Sequence, residues 1–473
     1  MQPGKAHFIG IAGKGMSAVA LLLREQGWQI TGSDEGFYPP VSNYLEEAGV
    51  LFSSGYNAEN IPADADLIVI GKNAKLVPES NEEVRAAFAS SKKIASFPDV
   101  LEDLTKGKET IVVVGSYGKS TTTALLAWCL KATGKDPNYF IGEVTNGFAH
   151  HAQLGSSNVF VLEGDEYPSS NTDVTAKFLH YNAKNVLLTS ATHDHVNIYP
   201  THEEYLRPFE QLVASLPADG TLVASGDETY ARALAEKYVG KVVLYGSDTS
   251  NEWHPENISY GEVTTFDLIH NKECVATFST NLLGTHNIEN IVGAAAMLLT
   301  KGLLTAEECV AGVASFQGVK RRLELLTKNS TVPVLEGFGS SYEKARSAIE
   351  ATRLHFKDRR LIVLFEPHTF SWRNRASIGW YDSVFSDVDH AYIYEPARQG
   401  KDSHEQLSQD EIVQRVRATG IQTTALTSPA ETLALLQNEL TKDDVVLLLT
   451  SGSFDGLIEG IPALVEQQFP IAQ

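Results

Sequence analysis

Residues 111–123 read IVVVGSYGKSTTT: four aliphatic β-formers run into Gly115-Ser116-Tyr117-Gly118-Lys119-Ser120-Thr121. A strand that feeds a glycine turn and then a helix aims several backbone N–H groups, and the positive end of the helix dipole, at one point. With the Lys119 ammonium added, that point suits a polyphosphate such as ATP. The Ser120 hydroxyl is placed to ligate a magnesium ion held between phosphates. The loop is a short GxxGKS form, since the common Walker pattern needs glycine where this chain has Val113.

Other reactive residue types follow aliphatic segments. Glu163 closes one such segment, with Asp165, Glu166 and Tyr167 behind it. Carboxylates there serve a cation beside a phosphate loop, or simply face solvent on a turn. His193-Asp194-His195 trails the next segment. A histidine and a glutamate at neighbouring strand ends can share a metal, and both magnesium and zinc fit such a pair. Gly284-Thr285-His286-Asn287 opens a helix with Asn290 one turn on. Asn287 is either its cap or, with Asn290, a reader of an adenine edge. Lys320-Arg321-Arg322 offers guanidinium groups matched to a triphosphate, or a solvated basic turn.

A second glycine-rich loop lies near the start. In Gly10-Ile11-Ala12-Gly13-Lys14-Gly15-Met16-Ser17-Ala18, the residues Gly13, Gly15 and Ala18 fit a dinucleotide-type fingerprint. Asp34 falls where an acid meets a ribose hydroxyl. Alone, this loop suggests an NAD-dependent oxidoreductase, although any pyrophosphate ligand can use it. The loop at Lys119-Ser120 speaks against that class, which has no need of a second phosphate site.

These residues need elements that end at common edges, and the periodicity supplies them. Residues 7–12, 29–32 and 66–70 read as strands, with helices at 17–26 and 41–48. Strands are expected at 111–114, 158–162, 185–189 and 220–224, and a long helix at 287–300. A third set follows at 360–364, 390–394 and 445–449. Strands alternating with helices imply doubly wound parallel sheets, with ligands at strand C-terminal ends. Three α/β domains are therefore expected, at residues 1–107, 108–318 and 319–473.

The chain has 473 residues and a net charge of −21, which disfavours a nucleic-acid partner. Its three cysteines, Cys129, Cys274 and Cys309, have no metal-like spacing and suit a reducing compartment. No signal peptide is visible, and no apolar run reaches the roughly 20 residues a membrane helix needs. A cytoplasmic protein acting on small molecules is expected, with no membrane partner. The oligomeric state is not legible.

Taken in order, FIGIAGKGMS, GSYGKSTTT, LEGDEY, HDH, GTHNIEN, KRRLE and FEPH resemble the Mur ligase family over nearly the whole chain. These are ATP-dependent amide ligases of peptidoglycan synthesis and recycling. The resemblance implies a Rossmann-like UDP-binding domain, a central P-loop ATPase domain and a Rossmann-like C-terminal domain for the incoming amine. The first loop and GSD are similar to the types that carry UDP-N-acetylmuramate. Tyr38-Pro39-Pro40, AKFLHY at 176–181 and RRLEL at 321–325 are similar to the muropeptide-recycling members. Those join the sugar nucleotide to L-Ala-γ-D-Glu-meso-diaminopimelate, with ligation of L-alanine as the alternative.

Roles implied by the resemblance can be assigned residue by residue. Gly115, Ser116, Tyr117, Gly118, Lys119, Ser120 and Thr121 would bind ATP, with Asn287 and Asn290 at adenine and Arg322 at the phosphates. Ser120 with Glu163, and Glu163 with His195, would hold two Mg²⁺ ions. Lys119, Glu163 and His195 would be the catalytic set. Gly10, Gly13, Lys14, Gly15, Met16, Ser17 and Asp34 would hold the UDP part.

The chain departs from the family at several positions. Tyr117 stands for a histidine, Ser120 for a threonine, and Thr189 or Ser190 for an asparagine. Glu336-Gly337-Phe338-Gly339-Ser340-Ser341-Tyr342 stands for an acidic pair, an aromatic and His-His-Pro. A ligase-like binding protein without turnover is the reading those departures motivate. Residues 450–456, TSGSFDG, are a candidate amine site or a glycine turn. Arg373, Arg375 and Arg398 read equally as carboxylate binders or surface charges.

Overall fold

The computed structural model describes residues 2–38, 41–195, 198–395 and 405–471. Pro39, Pro40 and Arg398 lie outside the described residues. Two compact units are present. One takes in the chain up to Ile258 with Phe266–Thr280 and His286–Gln317; the other takes in Ser259–Thr265, Asn281–Thr285 and the chain from Gly318 onward.

The first unit holds two sheets. Strands β1 (Lys5–Ile9), β2 (Gln29–Asp34), β3 (Leu51–Ser54), β4 (Leu67–Ile70) and β5 (Lys93–Ala95) form a parallel sheet in the order β3-β2-β1-β4-β5. The central sheet is built on β6 (Glu109–Val114), β7 (Asn138–Phe140), β8 (Ala152–Gln153), β9 (Val159–Glu163), β10 (Asn185–Leu188), β11 (Thr221–Ser225) and β12 (Lys241–Tyr245). It continues through β13 (Trp253–Ser259), β14 (Thr264–His270) and β15 (Glu273–Thr280), in the order β15-β14-β13-β12-β11-β10-β6-β9-β7-β8. Strand β6 pairs in parallel with β9 on one side and β10 on the other, so the three end at the same edge.

The second unit carries β16 (Arg322–Leu325), β17 (Val334–Phe338), β18 (Arg360–Phe365), β19 (His390–Tyr394), β20 (Gln422–Leu426) and β21 (Asp444–Thr450). Their order is β16-β17-β21-β18-β19-β20, parallel except for the β16–β17 pair. The α/β, parallel-sheet class expected from periodicity is observed. Strands expected at 158–162, 185–189 and 445–449 appear within a residue or two.

Two expectations shift. The first helix runs Lys14–Glu25, three residues earlier than the pattern predicts, with Gly13 as its cap. Helix propensity argues against Gly15, but the tertiary fit favours it: a Cβ there would stand 3.1 Å from the Phe97 ring. The first strand correspondingly ends at Ile9, because Gly10 turns with φ 86° and hands its N–H to the Ser33 carbonyl. The hairpin strands β13, β14 and β15 went unread, since their faces mix polar and apolar residues.

A buried polar network anchors the first sheet beneath its loops. His7 lies 2.7 Å from the Glu83 carboxylate and 2.7 Å from the Thr31 hydroxyl. Glu83, wholly buried, also accepts from the Ser33 hydroxyl, the Asn57 amide and the Asn60 side chain. Each lone pair is used, which is the condition for burying a carboxylate. Replacing Glu83 by Ala strands four donors at once. We expect a loss of about 3 kcal/mol in the unit's stability, read as a fall in the urea midpoint, with Glu83→Gln recovering part of it.

Candidate active site

Gly115 follows β6 at φ 142°, a backbone state that favours glycine. Space demands glycine as well. A Cβ would stand 2.2 Å from Thr189 Oγ1 and 2.8 Å from the Ser190 backbone. The ends of β6 and β10 therefore touch through backbone. Gly118 takes φ 81° and caps the helix Lys119–Ala132, so Lys119, Ser120 and Thr121 form its first turn. The Ser190 hydroxyl accepts the amides of Ser116 (3.0 Å) and Tyr117 (3.2 Å), and Tyr205 donates to Ser116 Oγ. Ser190 thus braces the loop through two of its amides. The Tyr117 ring is 59% exposed and leaves the loop's interior clear.

Lys119 bends back on its own loop. Its ammonium donates to the Gly115 carbonyl and, at 2.9 and 3.2 Å, to both oxygens of Glu166. Glu166 is fully buried and also lies 3.0 Å from His195 Nε2, while His195 Nδ1 is 3.0 Å from the Tyr167 hydroxyl. The hydrogen bond to Glu166 holds the His195 imidazole above its ordinary value. Nε2 cannot face Glu166 and a metal at once, so ligation through Nε2 requires loss of the Glu166 contact. His195 stands at φ 54°, in the left-handed region that non-glycine residues seldom adopt.

Glu163 ends β9 beside them. It accepts Ser120 Oγ at 2.8 Å and the Gly142 amide at 2.7 Å. Burial, the largest influence, raises its pKa, and these two hydrogen bonds oppose the rise. Gly142 is required here, because a Cβ would stand 2.8 Å from the Glu163 carboxylate. Ser120 and Glu163 make a hard-oxygen pair that suits Mg²⁺. Lys119, Ser120, Glu163 and His195 thus assemble as expected. Glu166, which joins Lys119 to His195, was visible only as one of several acids after a strand.

Other expected ligand residues are placed differently. Asn290 accepts from the Thr122 hydroxyl (3.1 Å) and donates to Asn287 (3.2 Å), so its amide braces the phosphate-loop helix from inside. Both asparagines are buried. Arg322 is exposed on β16. Its neighbour Arg321 is committed to the buried Glu336 (2.7 Å) and to the Gly452 carbonyl (2.9 Å).

In the first loop, Asp34 accepts from the Ala12 amide (2.9 Å), the Glu35 amide (2.7 Å) and the Tyr56 hydroxyl (3.2 Å). Those bonds make it the clamp of the glycine loop. Lys14 pairs with Glu143 at 2.7 Å, and its carbonyl lies 3.0 Å from His151 Nε2. The Met16 and Ser17 side chains are buried and the Gly13 amide donates to the Gly10 carbonyl, so the amides of Lys14, Gly15 and Met16 make up the helix start, a placement that suits an anion.

In the second unit, Ser341 caps the helix Tyr342–His355 and Ser340 accepts from Lys344. Arg373 is buried, and Arg375 pairs with Glu405 and Glu411 at 2.6 Å each. Thr450 and His368 both contact the buried Glu366.

Residues 113–298 match the Mur ligase middle domain, and residues 5–109 match the Mur ligase family catalytic domain. The UDP-N-acetylmuramate–L-alanine ligase of Nitratidesulfovibrio vulgaris (strain Hildenborough) is 30% identical over 94% of this chain and 96% of its own. The chain belongs to the Mur ligase family. By that membership it is an ATP-dependent ligase forming a carbon–nitrogen bond. The UDP-N-acetylmuramate–L-alanyl-γ-D-glutamyl-meso-2,6-diaminoheptandioate ligase of Haemophilus influenzae is 28% identical over 96% of this chain and 98% of its own. The solved UDP-N-acetylmuramate–alanine ligase of Thermotoga maritima has the same fold. It aligns with a TM-score of 0.76 and 22% identity over 98% of each chain.

Two outcomes test these assignments. Gly115→Ala should weaken ATP binding roughly tenfold or more, since backbone strain of 1–3 kcal/mol falls on the phosphate loop; titration with a fluorescent ATP analogue reads it. At Glu411, the Ser408 amide first, then Arg375, lower the carboxyl to about 2. A lowered folded value stabilises above the unfolded value, and this is lost as pH falls toward about 2. Arg375→Met should move the Glu411 titration partway back up, as followed by carboxyl NMR. An unchanged titration would return Arg375 to the pool of substrate-binding arginines.

Proposed function

We propose that this Mur ligase joins the lactyl carboxylate of UDP-N-acetylmuramate to the amine of an L-Ala-γ-D-Glu-meso-diaminopimelate-type peptide, in cytoplasmic recycling of peptidoglycan. The observation that carries the reading is the meeting of Lys119, Ser120 and Glu163 at one sheet edge, in a family member that also has a glycine loop for a second phosphate ligand. The Haemophilus influenzae relative, whose name states that ligation, supports the amine. Residues 1–107 would hold the sugar nucleotide, 108–318 the ATP and 319–473 the incoming peptide.

A carboxylate is an unreactive electrophile at neutral pH, and activation solves that problem. The lactyl oxygen attacks the γ-phosphorus, the bond to the ADP oxygen breaks, and an acyl phosphate results. The peptide amine then adds to the acyl carbon, and phosphate leaves. Lys119 and the amides of Gly118, Lys119 and Ser120 would hold the phosphates in line, on a loop that Ser190 braces through Ser116 and Tyr117. Ser120 and Glu163 would hold Mg²⁺, and His195 would join once freed from Glu166. Bound there, the ion would reduce repulsion between two anions. Asp34 and Tyr56 keep the first loop in shape for UDP.

The Nitratidesulfovibrio vulgaris relative favours L-alanine as the second candidate amine. Phosphate release from ATP and UDP-N-acetylmuramate, with a panel of amines, separates the two readings. We expect turnover with the tripeptide and little with L-alanine. Release with neither amine would leave a nucleotide-binding protein without turnover. Lys119→Ala should cost roughly 100-fold or more in kcat/KM, the scale seen when one transition-state donor is removed.

A further inference from the structure

Between the first glycine loop and His195, the first unit carries a group of side chains that the preceding roles do not use. Lys72 comes just after β4, the neighbour of β1. Connections leave those two strands in opposite directions, so Lys72 stands at the switch point of the first sheet, where ligands of open α/β sheets bind. Lys177 opens the short turn Lys177–His180 in the central part of the unit. The two ammonium groups converge on one ring. Lys72 Nζ is 5.9 Å and Lys177 Nζ 5.8 Å from the Tyr167 centroid. Lys177 is also 5.3 Å from the centre of Phe97, the ring that closes on Gly15. The Tyr167 hydroxyl is the group beside His195 Nδ1. Gly15, Phe97, Lys177, Tyr167 and His195 therefore form a continuous path from the first glycine loop to His195.

The charge on this path is not balanced. Asp165 pairs with Lys177 at 2.5 Å, and among the described residues no carboxylate pairs with Lys72. Partial burial first, and then the charge of Lys177, hold Lys72 below the ordinary lysine value. Aromatic walls attract cations without neutralising them. One anion entering between the lysines would relieve the repulsion. The shared ring is tied to His195, so that anion belongs at the metal end of the path rather than at the pyrophosphate end.

Resting on the ligase reading above, we propose that Lys72 and Lys177 form the seat for the carboxylate of the sugar nucleotide, the group that becomes activated. Each lysine offers a compact charge with rotatable donors, one for each carboxylate oxygen. The seat would tell a carboxylated sugar nucleotide from its neutral counterpart.

Calorimetric titration of the full chain with two ligands tests this. UDP-N-acetylmuramate carries the lactyl carboxylate; UDP-N-acetylglucosamine has the same nucleotide and sugar ring without it. Lys72→Gln and Lys177→Gln should each weaken the muramate ligand about tenfold or more, the worth of a charge-assisted hydrogen bond, and leave the glucosamine ligand within about twofold. Lys177→Arg should retain the preference. Lys72 is exposed, so its substitution spares the fold even if Lys177→Gln, which strands Asp165, does not. Equal loss for both ligands would assign the lysines to the pyrophosphate and overturn the proposal, as would no loss for the muramate ligand. Failure of the wild-type chain to bind either ligand would remove the UDP-N-acetylmuramate reading, and this inference with it.

Discussion

Lys119 is held between the carbonyl of its own loop and the buried carboxylate of Glu166, and the central site is arranged around that anchorage. A largely buried ammonium beside a sheet edge needs a counter-charge. Glu166 supplies it, and through its other contact it holds His195 in place. The same loop is braced from below by Ser190 and Thr189, which only a glycine at 115 allows to approach so closely. Glu163 completes the edge, with its two oxygens divided between Ser120 and Gly142. The side chains at this edge are therefore held in place by hydrogen bonds to one another.

The first glycine loop is built on the same logic with different parts. Asp34 ties the loop, through the Ala12 amide, to the end of its own strand and to Tyr56, and the helix opens beyond it at Lys14–Met16. Lys14, like Lys119, is paired with a carboxylate, here Glu143. Glu143 follows Gly142, whose amide holds Glu163, so a two-residue stretch touches Lys14 of the first loop and the carboxylate that accepts from Ser120.

The departures from the family have local physical reasons. Serine suits an N-cap, and Ser341 caps the helix Tyr342–His355 in a stretch where the family has histidine. Arg321, at φ 63°, turns back to satisfy the buried Glu336 in the strand just before that stretch. Tyr117 keeps its backbone in the loop and points its ring outward, so phosphate-loop geometry survives the change of side chain.

Local patterns determined a good deal. Glycine turns with Lys-Ser after an aliphatic run, alternating strands and helices, and acids or histidines closing strands are all signals within a dozen residues. They carried the α/β class, the family, the two glycine loops as turns, and Lys119, Ser120, Glu163 and His195 as candidates, which the fold brings to one sheet edge. Tertiary structure alone decided what those residues lean on. Glu166 meets Lys119 from 47 residues away, and Asn290 meets Thr122 from 168. Parallel crossovers set such partners, and short-range patterns do not encode which acid or amide a crossover delivers. The same holds for Asp34 as a clamp, Arg375 as one member of an ion-paired surface cluster, and Lys72 facing Lys177. In each case residue type was legible in the chain, while the partner, and with it the role, was settled by where the strands ended.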